Sequence, residues 1–273
     1  MKIHRRLLGF VCCGLLLAAC SPNRIHQREE WGKYFSANGV TGSFMLYNNA
    51  SGDFDVYNLK DIQQRSSPAS TFKIMNALTG LETGVISDTN MVIPWDGVPR
   101  QVPEWNQDLS MGNAFRYSAV PYYQEVARRI GRKTMQQWLD SVKYGNMIIG
   151  PHIDSFWLDN SLQLSPDEEL GFIKQLYFSK LPFQERSQRL VREVMLMEQT
   201  SGYKLSYKTG WETRVGDSSR QNGWLVGWEE ENKHVYFFVL HLEGPPDRKD
   251  FGAVRFKIFH AIMEKEGFFK GQK

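Results

Sequence analysis

Val235-Tyr236-Phe237-Phe238-Val239-Leu240 is an unbroken apolar, β-prone run near the end of a 273-residue chain. Such a run reads as a strand covered on both faces, at the centre of a sheet. A central strand needs neighbours. Lys204 to Lys208 and Gly223 to Glu230 read as strands just before the central one, Lys233 to Leu242. Far upstream, Thr41 to Asn49 and the alternating Phe54 to Leu59 read as a hairpin about Asn49-Ala50-Ser51-Gly52. Phe251, Val254, Ile258 and Ile262 repeat at helical spacing, and Gly267 stops that helix.

Between the two groups of strands the pattern is helical. Ser70 to Thr83 ends at Gly84, and Pro121 to Ile130 and Lys133 to Lys143 follow. Ser165-Pro166-Asp167-Glu168 is a capping box with proline at the first helical position, so a helix is predicted from Pro166 to about Phe178. Phe183 to Gln199 is predicted to carry another. Strands distant in sequence must then pair into one sheet. This is an α+β chain: an antiparallel sheet flanked by helices, with an inserted all-helical lobe. The predicted boundaries are a sheet lobe of residues 24–65 with 200–273 and a helical lobe of 66–199. A cleft between two lobes is a common place for a small-molecule site.

The composition is 41% hydrophobic and 23% charged with a net charge of +3, which excludes disorder and gives no reason for a nucleic-acid partner. Arg128, Arg129, Arg132 and Lys133 are the densest basic cluster, and a solvated helix face accounts for them. The three cysteines, 12, 13 and 20, all lie at the N-terminus, so the rest of the chain has neither a disulfide nor a cysteine metal site. The six histidines show no paired metal-ligand spacing, and no metal is expected.

Four short motifs carry chemistry. In Pro68-Ala69-Ser70-Thr71-Phe72-Lys73, a helix starting near Ser70 brings Lys73 back onto the same face, where its amine reaches the hydroxyl. The free N–H groups of a helix start favour negative charge developing there. A serine at a helix start is also an ordinary N-cap. Ser201-Gly202-Tyr203-Lys204 has the same spacing, but it falls where a helix stops and a strand begins. Lys208-Thr209-Gly210 on a strand offers a charge for a carboxylate, a hydroxyl donor, and a glycine where a ligand can lie against the backbone. Ser118-Ala119-Val120 offers a proton-shuttling hydroxyl or a helix cap. Tyr144-Gly145-Asn146 by itself is a helix C-cap.

The order of the four motifs, at 70, 118, 144 and 208, is more specific than any one of them. From about residue 31 to 268 the chain resembles the class D (OXA-type) serine β-lactamases, within the penicillin-recognising serine hydrolases. Phe156-Trp157-Leu158, Gly223 to Trp228 and Ala253-Val254-Arg255 add to the likeness. Class A enzymes and penicillin-binding proteins share the Ser-x-x-Lys and Lys-Thr-Gly elements. Val120 and Tyr144-Gly145-Asn146 shift the resemblance to class D.

The resemblance implies a β-lactamase/transpeptidase-like fold, a Ser70 nucleophile and a Lys73 carboxylated by CO2 or bicarbonate, with no other cofactor. It assigns the carbamate as general base, held by the Trp157 indole N–H. It places Val120, Leu158 and Phe72 around it, the backbone N–H groups of Ser70 and Trp211 in an oxyanion hole, and Lys208, Thr209, Gly210 and Arg255 at the substrate. Ser118 joins the catalytic set, and Tyr144, Gly145 and Asn146 are structural. The implied partners are β-lactam antibiotics, penicillins first. A non-hydrolytic β-lactam sensor or penicillin-binding protein, acylated but not turned over, is the rival. Trp224-Leu225 stands where the family often has two tryptophans. The predicted loop Glu212 to Asn222 is set to bear on substrate range.

Residues 1–19 read as an export signal: Lys2, His4, Arg5 and Arg6 precede the apolar Leu7 to Ala19, too short for a stable bilayer span. Leu17-Ala18-Ala19-Cys20 resembles a lipobox, which implies that Cys20 is the lipid attachment point of a periplasmic lipoprotein; an ordinary secretory signal with a chance cysteine is the alternative. The mature chain, 20–273, is then one domain.

Overall fold

The computed structural model describes residues 24–213 and 220–273. The signal segment, Cys20 and residues 214–219 of the predicted loop lie outside them. In chain order the elements are β1 (Ile25–Gln27), α1 (Gly32–Ser36), β2 (Thr41–Asn48), β3 (Asp53–Tyr57), α2 (Lys73–Glu82), β4 (Val92–Ile93), β5 (Leu109–Ser110), α3 (Met111–Arg116), α4 (Val120–Ile130), α5 (Arg132–Val142), α6 (Pro166–Tyr177), α7 (Glu185–Met195), β6 (Leu196–Gln199), β7 (Tyr203–Thr213), β8 (Gln221–Glu231), β9 (His234–Gly244) and α8 (Phe251–Lys265).

The main sheet runs β1-β3-β2-β9-β8-β7-β6, so the strand that contains Val235 to Leu240 is central. All pairings are antiparallel except β1 with β3, which makes the sheet mixed. Strand alternation splits the core into two layers. Phe237 and Val239 face the central helical block, while Phe238, Leu240 and Leu242 face α8 and the N-terminal segment. α6 packs on β9, β8 and β2, so it lies directly on the sheet. Its capping box forms as predicted, with the Ser165 N–H donating to Glu168 Oε2 at 2.9 Å.

Three boundaries differ from the sequence reading. The stretch Phe183 to Gln199 is helical only to Met195; Leu196–Gln199 is β6, the sheet's edge strand on β7. Its backbone groups gain a ladder there that outweighs the helical pattern of the side chains. β7 and β8 extend to Thr213 and from Gln221, so both ends of the predicted loop are paired strand, Glu212 with Asn222 and Thr213 with Gln221. Ser70 sits in a 3-10 turn, Ala69–Phe72, and the α-helix starts only at Lys73.

Candidate active site

The Ser70 turn lies against β7. A side chain at Gly210 would put its Cβ 2.8 Å from the Pro68 carbonyl oxygen, so glycine is what lets the strand approach the turn. Ala69, just before the serine, is held at φ 49°, and Ser118 at φ 54°. Both are left-handed non-glycine residues, a strain that concentrates at functional sites.

Lys73 Nζ lies 2.7 Å from Ser70 Oγ. One 3-10 turn brings the lysine back onto the serine, as the three-residue spacing requires. Ser70 makes no capping hydrogen bond: Pro68 precedes the turn, and Phe72 is the α2 N-cap. Lys73 is fully buried, and burial lowers its pKa from 10.5 to about 7. A large fraction of the amine is therefore neutral near neutral pH and able to accept a proton or react as a nucleophile.

A second lysine–serine pair lies near enough for the charge of Lys73 to act on Lys208. Lys208 Nζ donates to Ser118 Oγ at 3.0 Å and to the Thr209 carbonyl at 3.0 Å, with Thr209 Oγ1 at 3.4 Å. Burial first, and the charges of Lys73 and Arg255 next, push the Lys208 pKa well below the ordinary lysine value. Ser118 lies outside α4, whose N-cap is Ala119, and its hydroxyl serves Lys208 rather than a helix end. Arg255, on the buried face of α8, is 6% exposed and donates to the carbonyls of Gly210 and Trp224. Burial lowers its pKa to about 10. The Trp211 side chain is half-exposed, with its indole N–H on Gln221 Oε1 at 2.6 Å, and its backbone follows Gly210 directly.

Trp157 stacks on Phe72, ring centroids 5.0 Å apart, and its buried Nε1–H has no hydrogen-bond partner. Leu158 packs against the same core, and Val120 is the half-buried first residue of α4. Tyr144 is buried behind the Ser70 turn, against Phe72 and Phe172, and donates to Glu169 Oε2 at 3.1 Å. Gly145 has φ 56°, and a Cβ there would meet the Gln163 carbonyl oxygen at 2.2 Å. Asn146 ties this turn to Ser161 and Gln163 by side-chain bonds of 2.8 and 3.0 Å. The tripeptide is thus more than a cap: it locks the segment that follows Trp157.

Sequence reasoning missed several residues around these groups. Phe115 lies under the Lys208 amine, 5.6 Å from ring centroid to Nζ, and Tyr123 under Lys73 at 5.7 Å. Asp61, Ser66, Ser67, Glu212, Asn222 and His241 form a polar network beside the turn. Nothing in their scattered positions links them in sequence.

Two serine–lysine pairs on one buried seam suit acyl transfer, with a nucleophile, proton acceptors and cations for an anionic substrate. The chain matches the penicillin binding protein transpeptidase domain family over residues 37–264. It is 39% identical to β-lactamase OXA-48 of Klebsiella pneumoniae over 240 residues, 88% of this chain and 89% of that one. The chain belongs to the class D β-lactamase family. The crystal structure of the class D β-lactamase YbXI from Nostoc aligns with a TM-score of 0.82 at 38% identity, over 88% of this chain and 99% of the other. The C-terminal domain of the Bacillus licheniformis BlaR penicillin receptor also aligns, with a TM-score of 0.85 at 30% identity, over 91% and 99%. As a class D β-lactamase the protein is a hydrolase. Its mixed sheet flanked by helices is the fold of that family.

Proposed function

We propose that Ser70 opens β-lactams, penicillins above all, as a turning-over acyl-enzyme nucleophile. The observation that carries this is the 2.7 Å contact between Ser70 Oγ and a buried Lys73 whose pKa is lowered to about 7. Ser70 Oγ gives up its proton at the Lys73 position and adds to the lactam carbonyl carbon. The carbon–nitrogen bond then breaks, and the nitrogen takes a proton by way of the Ser118 hydroxyl. Lys208, Thr209 and Arg255 face the substrate carboxylate, Lys208 and Arg255 with charge and Thr209 with its hydroxyl, and Gly210 lets β7 close on the Ser70 turn. The backbone N–H groups of Ser70 and Trp211 receive the developing oxyanion. Water then adds to the ester carbonyl, and Ser70 leaves with its proton restored.

The residues fit carboxylation of Lys73. Its amine is neutral enough to react with CO2, and the partnerless Trp157 Nε1–H is a buried donor beside Phe72 that needs an acceptor. Trp157 would hold the carbamate, with Val120 and Leu158 around it, and the group would supply a carboxylate-like base next to Ser70 in place of an amine.

The same reading takes the mature chain, 20–273, as one domain made of the two predicted lobes, exported by residues 1–19 and tethered in the periplasm through a lipid on Cys20. Lipid labelling that survives Cys20→Ala would overturn the tether.

Turnover separates hydrolysis from receptor behaviour like that of the BlaR domain. A soluble form starting at Ser21 is mixed with a chromogenic β-lactam and bicarbonate, and product is counted per enzyme. Many equivalents support hydrolysis. A burst that halts near one equivalent supports a stable acyl-enzyme, and no product in wild type sinks the acyl-transfer reading.

A further inference from the structure

On the sheet face turned to the helical block, Phe237 and Val239 are followed by His241, 2% exposed, its ring 4.5 Å from that of Trp224. His241 Nδ1 lies 2.9 Å from Asp61 Oδ2. Nε2 lies 2.9 Å from Asn222 Oδ1 and 3.1 Å from Ser66 Oγ. The Asn222 amide cannot be turned over, because its Nδ2 donates to the Ser67 carbonyl at 2.7 Å. The imidazole therefore faces a carboxylate oxygen on one side and an amide oxygen on the other, and neither can donate. The Ser66 hydroxyl can accept as well as donate, so hydrogen on both ring nitrogens satisfies all three oxygens at once.

The contacts continue into the site. The Ser67 carbonyl also accepts from Trp224 Nε1 at 2.9 Å, and the Ser67 hydroxyl donates to the Trp157 carbonyl at 2.8 Å. Glu212, next to Trp211, lies 2.9 Å from that hydroxyl and 3.3 Å from Asn222 Nδ2. Ser67 immediately precedes Pro68 and the Ser70 turn. One clamp thus fixes the entry to the nucleophile, the main chain at Trp157 and the strand beyond Trp211. Ser66, His241 and Asp61 also line up like a hydrolytic triad. Ser66 is 3% exposed and its backbone pairs with Leu164, so no substrate reaches it there.

We propose that His241, as a buried imidazolium between Asp61 and Asn222, is a positioning residue for Ser70 and Trp157. The role rests on the acyl-transfer reading; the protonation state does not. The soluble form starting at Ser21, labelled with 15N-histidine, is observed by NMR at pH 7, with His241→Gln assigning the signal. Two protonated ring nitrogens are expected, and a neutral ring would overturn the proposal.

The kinetic arm uses Asp61→Asn and His241→Gln, each checked for a cooperative melt above the assay temperature. Each variant is expected to lower kcat about tenfold while KM changes by less than about twofold, because alignment rather than binding is lost. The double variant should be no slower than the slower single one, since both break one clamp. Wild-type kcat in both folded variants overturns the proposal even if their melting points fall. If one variant does not fold, the other and the spectrum decide. If wild type stays acylated, the acylation rate replaces kcat. If wild type is not acylated at all, the acyl-transfer reading fails and the positioning role with it, while the spectrum still decides the charge.

Discussion

Replacing Lys73 by methionine should make the protein more stable while abolishing turnover. The side chain is fully buried, and burial brings its pKa from 10.5 to about 7. Between those two pH values the unfolded chain holds a proton that the folded protein lacks, so wild-type stability rises with pH through that window. Below about pH 7 the penalty is complete. At about 1.4 kcal/mol per pH unit, the penalty is about 4 kcal/mol at pH 7 and about 2 kcal/mol at pH 9. Methionine keeps most of the volume and removes the charge, at the loss of the Ser70 contact, about 1 kcal/mol. The net gain of about 3 kcal/mol at pH 7 corresponds to a Tm increase of roughly 6–12 °C, shrinking to roughly 2–4 °C at pH 9. Thermal melts of both proteins in CO2-free buffer at the two pH values test this, with a chromogenic β-lactam to follow activity. A Tm difference that does not change with pH, or a wild type that melts higher, would show that Lys73 is not a desolvated amine. Stability given up at a working side chain is a general trade in enzymes.

Trp157→Phe keeps the stacking on Phe72 and removes the partnerless N–H; it should fold normally yet need about tenfold more bicarbonate for half-maximal activity, the worth of one hydrogen bond to a charged group. An unchanged bicarbonate titration would count against the carbamate. Gly145→Ala forces a Cβ to within 2.2 Å of the Gln163 oxygen at a positive φ, and should cost roughly 2–4 kcal/mol, read as a lower urea midpoint. Glu229, buried beside Glu231, has its pKa raised from 4.5 to about 9, by burial first and Glu231 next. Between these values the folded protein holds the extra proton, so stability falls as pH rises. Glu229→Gln should therefore raise Tm, and raise it more at pH 8 than at pH 5; the opposite trend would refute the assignment.

Features set by neighbours along the chain are legible without the fold. The apolar run at Val235 to Leu240 identified the central strand because its hydrophobicity is local. Ser165 to Glu168 identified a helix start because a capping box closes within one turn. The spacing of Ser70 and Lys73 was legible for the same reason, whether the turn is 3-10 or α. Tertiary structure decided the rest. Leu196–Gln199 became a strand because β7 offered it a ladder, and no local pattern announces a partner that follows in the chain. Arg255 meets Gly210 across 45 residues, and Lys208 meets Ser118 across 90. Asp61 meets His241 across 180 residues, and none of these three pairings is local in sequence. Burial, and with it the lowered pKa values of Lys73 and Lys208, comes from packing on every side at once. A linear sequence names the groups, but only the folded chain takes the water away from them.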